Sequence, residues 1–137
     1  MSDAIRVTDE CVQAFTELKF GKKHKYVIYA VSADRKEITV ETTSTDTTYD
    51  TFVSALPENA CRYAVYDFEY KKENEGTRNK IVFFFWSPDT SEVREKMVYA
   101  KSKNAIRDAL NGVAVEIQGT DASEVSYQAV YDRANRA

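Results

Sequence analysis

Apolar positions along the chain fall into runs of two different periods. Tyr26 to Ser32 is a continuous apolar, aromatic and β-branched run, and Glu37 to Thr43 alternates; the turn Ala33-Asp-Arg-Lys36 between them predicts a hairpin. Cys61 to Lys71 places Ala64, Tyr66, Phe68 and Tyr70 at every second position, so they share one face of a third strand. After the turn Glu73-Asn-Glu-Gly76, Asn79 to Trp86 returns as a fourth strand. Its end, Phe83-Phe-Phe-Trp86, is apolar on both faces, which places it in mid-sheet between two layers. Val113 to Ile117 predicts a short fifth strand. Helical spacing links Cys11, Val12, Phe15 and Leu18, with Thr8 as cap and Gly21 as stop. Tyr49, Phe52, Val53 and Leu56 form a shorter helix that Pro57 ends. Asp121 or Ser123 opens a last helix running to about Arg133. The order α β β α β β α β α predicts a mixed sheet with helices on both faces, the fifth strand returning parallel to the fourth through a helical crossover.

That crossover helix carries the strongest functional signal. Asp89 and Glu92 have capping-box spacing, and no Gly or Pro interrupts the run until Gly112, so the spacing predicts a helix of about 22 residues, about 33 Å long. At about 100° per residue, Val98, Tyr99, Ser102, Ile106, Ala109 and Leu110 share one broad face. Val93, Met97, Ala100 and Asn104 make a second, narrow stripe roughly opposite. Arg94 and Lys101 flank this stripe on one side, Lys96, Lys103 and Arg107 on the other. The broad face suits the core. The narrow stripe, apolar with a cationic rim, has the make-up of an interface. A curved helix that buries both stripes against one core is the alternative.

Composition narrows the classes. With 137 residues, 43% apolar and 30% charged, the chain has the make-up of one soluble globular domain with a real core. Nineteen basic against 22 acidic side chains give a formal net charge of −3, so bulk charge gives no reason to expect nucleic-acid binding. No apolar run approaches the length of a membrane helix, and Met1 to Arg6 has no signal-peptide character. Cys11 and Cys61 lack CxxC or Cys/His spacing and read as small buried apolar residues. The single histidine, His24, sits in a lysine-rich loop and reads as solvated. No phosphate-cradling, nucleophile-elbow or metal-ligand motif is present, so neither an enzyme nor a cofactor is expected. Local basic clusters remain: the long helix, Arg78 with Lys80, and Arg133 with Arg136 beside Asp132. Such patches suit an acidic protein surface or anionic lipid head groups. Lys22 to Lys25 is a short basic run of the kind that serves nuclear import.

Trp86-Ser-Pro-Asp-Thr90 followed by Val93-Arg94, Lys96-Met-Val-Tyr-Ala100 and Ala109-Leu-Asn-Gly112 resembles the actin-depolymerising factor/cofilin family. So do Lys19 to Lys23, Tyr63-Ala-Val-Tyr-Asp-Phe-Glu-Tyr70, Lys80-Ile-Val-Phe-Phe84, Gln118-Gly-Thr-Asp121 and Ser123-Glu-Val-Ser-Tyr127. The likeness spans the chain in order and is nearest the compact fungal type. It implies an α+β, ADF-homology fold in which a central five-stranded, mostly antiparallel mixed sheet is sandwiched by helices. It implies one domain over 1–137, with a short flexible tail to about residue 6.

The implied function is binding to actin monomers and to the sides of ADP-actin filaments, which are twisted, severed and depolymerised without covalent chemistry. The face for monomer and filament would be Ser2, Asp3, Ala4 and Ile5 with Arg94, Lys96, Met97 and Arg107. The filament-only face would be Arg78, Lys80, Asp132, Arg133 and Arg136. Ser2 would be the regulatory phosphorylation site, and phosphoinositide head groups would compete with actin. The chain would be monomeric, cytoplasmic and associated with cortical actin, with the nucleus as a further location. Asn104 and Asp108 depart from the family pattern, which carries Asp at the first position and a second basic residue at the other. Relatives of coactosin type, which bind filaments without severing, of glia maturation factor type, which act on branch junctions, and a phosphoinositide-binding module are the alternatives.

Overall fold

The computed structural model describes residues 5–136. Six strands form one sheet in the order β1-β3-β2-β4-β5-β6: Arg6–Val7, Tyr26–Val31, Glu37–Ser44, Arg62–Lys72, Gly76–Trp86 and Val115–Gly119 in chain order. The end pairs β1/β3 and β5/β6 are parallel, and the pairs between them are antiparallel. Helices α1 (Asp9–Lys19) and α3 (Val93–Ala109) cover one face; α2 (Tyr49–Ala55) and α4 (Tyr127–Arg136) cover the other.

The period-2 pattern of β4 sorts its side chains between the two layers. Ala64, Tyr66, Phe68 and Tyr70 enter the core beneath α2 and α4, where Phe52 lies within 5.1 Å of the rings of Tyr26 and Tyr66. Tyr63 and Val65 enter the core beneath α1 and α3 with Leu18, Phe83 and Ile106. Phe83 to Trp86 are buried, with β4 on one edge and β6 on the other. The aromatic run therefore feeds both cores, as its two-faced apolarity requires.

Several boundaries differ from the sequence reading. The sheet has six strands, not five: Arg6 and Val7 pair with Glu37 and Ile38, so Arg6 belongs to the sheet and not to a tail. An Arg6–Glu37 ion pair at 2.9 Å accompanies the pairing. Helix α3 starts one turn after Asp89, because Ser91 N–H closes a turn on Pro88 O at 2.9 Å and leaves Glu92 at the cap. At its other end Leu110 is the C-cap, and the positive φ falls two residues on at Gly112. Helix α1 ends at Lys19, and Lys22, not Gly21, takes the left-handed backbone. Asp121 caps a single 3-10 turn, Ala122–Val125, by accepting from Ser123 and Glu124 N–H. Helix α4 then starts afresh, with Ser126 Oγ accepting from Ala129 N–H at 3.2 Å.

Candidate protein-interaction surface

Helix α3 is fixed by its inner face. Tyr99, Ser102 and Ile106 are buried, and Val98 and Ala109 half-buried. Tyr99 Oη accepts from Val31 N–H at 2.9 Å while Tyr99 O accepts from Tyr63 Oη. Glu95 Oε1 takes Cys61 N–H at 2.7 Å. These bonds lock the rotation of the helix, and the opposite stripe has to face water. Val93 is 70% exposed and Met97 66%, and Ala100 and Asn104 lie in the same open strip. The curved-core alternative is thereby excluded. Arg94 and Lys101 are exposed and Lys96 half-buried, and none of the three has an ion-pair partner among the described residues. An apolar ridge with unneutralised cations beside it can bury a complementary acidic-rimmed cleft, and offers nothing nucleophilic or metal-binding.

Not every cation of α3 is free for that purpose. Lys103 and Arg107 converge on the Glu116 carboxylate at 2.8 and 3.1 Å. The Lys103 hydrogen bond holds this carboxyl below its usual range, against partial desolvation, and Arg107 adds to it. Nothing in the local pattern around Val115–Gly119 marks Glu116 as the partner, because the parallel crossover brings it there.

The second set of cations lies along α4 and on the β5 arm of the β4–β5 hairpin. Lys80 Nζ donates to Ala134 O at 2.9 Å, in the last turn of α4. Arg133 donates to Glu116 O at 2.9 Å, and Arg136 to Asp132 O at 3.1 Å. The Asp132 carboxylate accepts from Gln128 at 2.9 Å. Arg78 lies nearer the hairpin turn and pairs with Glu75 at 2.8 Å. Of the tail residues, Ile5 is half-buried against the core beneath α1 and α3. Ser2, Asp3 and Ala4 lie outside the described residues.

The family model for Cofilin/tropomyosin-type actin-binding proteins matches residues 4–135. The chain belongs to this family. It is 54% identical to the cofilin of Mycosarcoma maydis over 137 residues, covering 100% of this chain and 99% of that one. With the cofilin of Saccharomyces cerevisiae it shares 56% over 133 residues, 96% of this chain and 93% of that one. The crystal structure of Streptomyces griseoflavus cofilin matches at a TM-score of 0.92 and 47% identity, covering 98% of this chain and 99% of that one.

The remaining chemistry-bearing residues have structural partners. Cys11 and Cys61 are free and buried, and burial pushes both thiols up. His24, read from the sequence as solvated, is instead half-buried, with Nε2 3.0 Å from Glu17 Oε1. Among the described residues no group of His, Cys, Asp and Glu could hold a metal ion, and no helix is long and apolar enough to cross a membrane.

Proposed function

We propose that this chain binds actin monomers and the sides of ADP-actin filaments, twists and severs the filaments, and speeds their depolymerisation. The observation that carries the reading is the outer stripe of α3, in which exposed Val93 and Met97 stand among Arg94, Lys96 and Lys101, cations with no ion-pair partner among the described residues. Met97 enters an apolar cleft on actin while Arg94 and Lys96 meet its acidic rim. Ser2, Asp3, Ala4 and Ile5 also bind monomer and filament, and Arg107 joins the α3 contact by exchanging Glu116 for a partner carboxylate. Arg78, Lys80, Asp132, Arg133 and Arg136 serve the neighbouring subunit in filaments only.

The mechanism is differential affinity and not covalent chemistry, so no enzyme activity is proposed. Binding favours a twisted filament state, and junctions between decorated and bare segments break. A phosphate on Ser2 weakens the contact, because it faces the same acidic surface. Phosphoinositide head groups compete for the cationic rim. The chain acts as one domain, in the cytoplasm with cortical actin and also in the nucleus.

Single fluorescent filaments, watched while purified protein is added below stoichiometry, test this reading. Breaks along filament sides, most frequent at partial decoration, are expected. Decoration without breaks would replace it by a coactosin-like filament binder. No decoration, with binding to anionic vesicles retained, would replace it by a lipid-head-group module.

A further inference from the structure

Strand β4 is paired on both sides only along its first half. Strand β2 meets it from Tyr63 to Tyr66 and ends with Asp67 N–H bonded to Lys25 O at 2.9 Å. Strand β5 accompanies it as far as Lys72. Residues 68–72 thus have one edge without a strand beside it among the described residues. Backbone groups of alternate residues face the same edge, and Asp67 N–H faces β2, so the N–H and C=O groups of Glu69 and Lys71 face the gap. Tyr131 Oη reaches Lys71 O at 3.4 Å, which leaves that carbonyl a second lone pair. Beside the gap, Tyr70, Tyr127, Gln128 and Tyr131 line a groove of about 540 Å³. Tyr127, 47% exposed, also lines a second hollow of about 130 Å³ with Lys25, Phe68 and Glu69.

We propose that this slot takes the same segment of a second copy of the chain, in an antiparallel, two-fold dimer centred on Tyr70. The charge pattern selects this occupant. In that register Glu69 lies opposite the other copy's Lys71, and Lys71 opposite its Glu69, and these are the pairs whose main-chain groups face each other. Glu69 and Lys71 are both exposed and have no ion-pair partner among the described residues of one copy. The ends of the slot add little to this choice. One end abuts the basic loop Lys22-Lys-His-Lys25, and the other runs into the acidic turn Glu73-Asn-Glu75. The two-fold arrangement sets each copy's basic loop beside the other's acidic turn, but Lys22, Lys23, His24 and Glu75 are already paired within one copy, so the choice of occupant rests on Glu69 and Lys71.

Charges on an edge strand ordinarily oppose such pairing, but alternating signs turn repulsion into register. A second unpaired edge, on β3 beyond Ile38, lacks this property. Its one charged side chain there, Glu41, is taken by Arg62 at 2.9 Å and would meet a like charge in a self-pair centred on it. The two-fold axis crosses the sheet, so the exposed Tyr127 and half-buried Tyr131 of both copies close over the joint. The pairing is short, so the 15.6 kDa monomer prevails in dilute solution and the dimer forms at high concentration. This inference does not depend on actin binding.

Sedimentation velocity and light scattering between about 10 µM and 1 mM read the association directly. The wild-type mass is expected to rise with concentration towards twice 15.6 kDa. Glu69→Lys alone and Lys71→Glu alone set like charges opposite each other and should weaken association at least about tenfold. The double swap Glu69→Lys/Lys71→Glu restores complementarity at unchanged net charge and should restore association. Unchanged melting temperatures show that the variants fold. A wild-type mass that stays constant would overturn the proposal, as would single variants that associate like the wild type. A double swap no better than the singles would overturn the register.

Discussion

At Met97 the side chain makes almost no contribution to the fold, since the residue is 66% exposed on a helix already locked by Tyr99 and Glu95. Met97→Ala should therefore leave stability within about 0.5 kcal/mol of wild type. If Met97 anchors actin, the same change should lower affinity for monomer and filament alike by about 10- to 30-fold, or about 1.4–2 kcal/mol. Equal affinity by fluorescence titration, with an unchanged melt, would remove Met97 from the contact. Single residues also show where a sequence speaks clearly. The burial of Cys11 and Cys61 was legible, because isolated cysteines without ligand spacing behave as small apolar groups. The Glu17 partner of His24 was not, since α1 ends between them and no pattern records how the chain turns back.

Among the elements, α3 was the most legible in its faces and the least in its ends. A 100° step separates buried Tyr99, Ser102 and Ile106 from exposed Val93 and Met97, and needs no knowledge of the neighbours. The start was misread because a tight turn at Pro88 competes with Asp89 for the local hydrogen bonds. Strand β1 escaped because two residues carry no period, and its pairing is written in β3. The tie of α3 to β6 through Glu116 is likewise tertiary, and it makes a prediction. The Glu116 carboxyl is held below its ordinary value of 4.5, chiefly by Lys103. A depressed folded-state pKa adds stability above the unfolded value and loses it as pH falls through the folded one. Because about a third of each partner is exposed, the contribution is no more than about 1 kcal/mol. Glu116→Gln should lower the melting temperature by a few degrees at pH 7, and the difference from wild type should vanish well below pH 4. A pH-independent difference would show that packing, and not the ion pairs, holds the two elements together.

In the molecule as a whole, strand β5 sets Arg78, at the hairpin, apart from the Met97 stripe, while the far end of α3 and the cations of α4 meet at Glu116, whose carboxylate takes Arg107 and whose main-chain O takes Arg133. Strand β5 has 11 residues and is about 33 Å long. It leads from the hairpin turn below Arg78 to Trp86, after which the chain enters α3 and its Met97 stripe. A partner that covers the α3 stripe alone need not reach the hairpin, whereas two adjacent subunits of a filament could touch both. Arg78 and Lys80 are not equivalent probes of this arrangement. Among the described residues Arg78 pairs only with Glu75, in its own hairpin, and both are half or nearly half exposed, so Arg78→Ala should cost the fold little. Lys80 Nζ closes a carbonyl in the last turn of α4 with a charged hydrogen bond, so Lys80→Ala should also loosen that helix. Arg78→Ala should thus leave monomer binding unchanged and lower filament co-sedimentation several-fold at low salt. Lys80→Ala should add faster amide exchange in α4. Equal loss of monomer and filament binding on Arg78→Ala would mean that both contacts share one continuous surface, and that the length of β5 does not separate them.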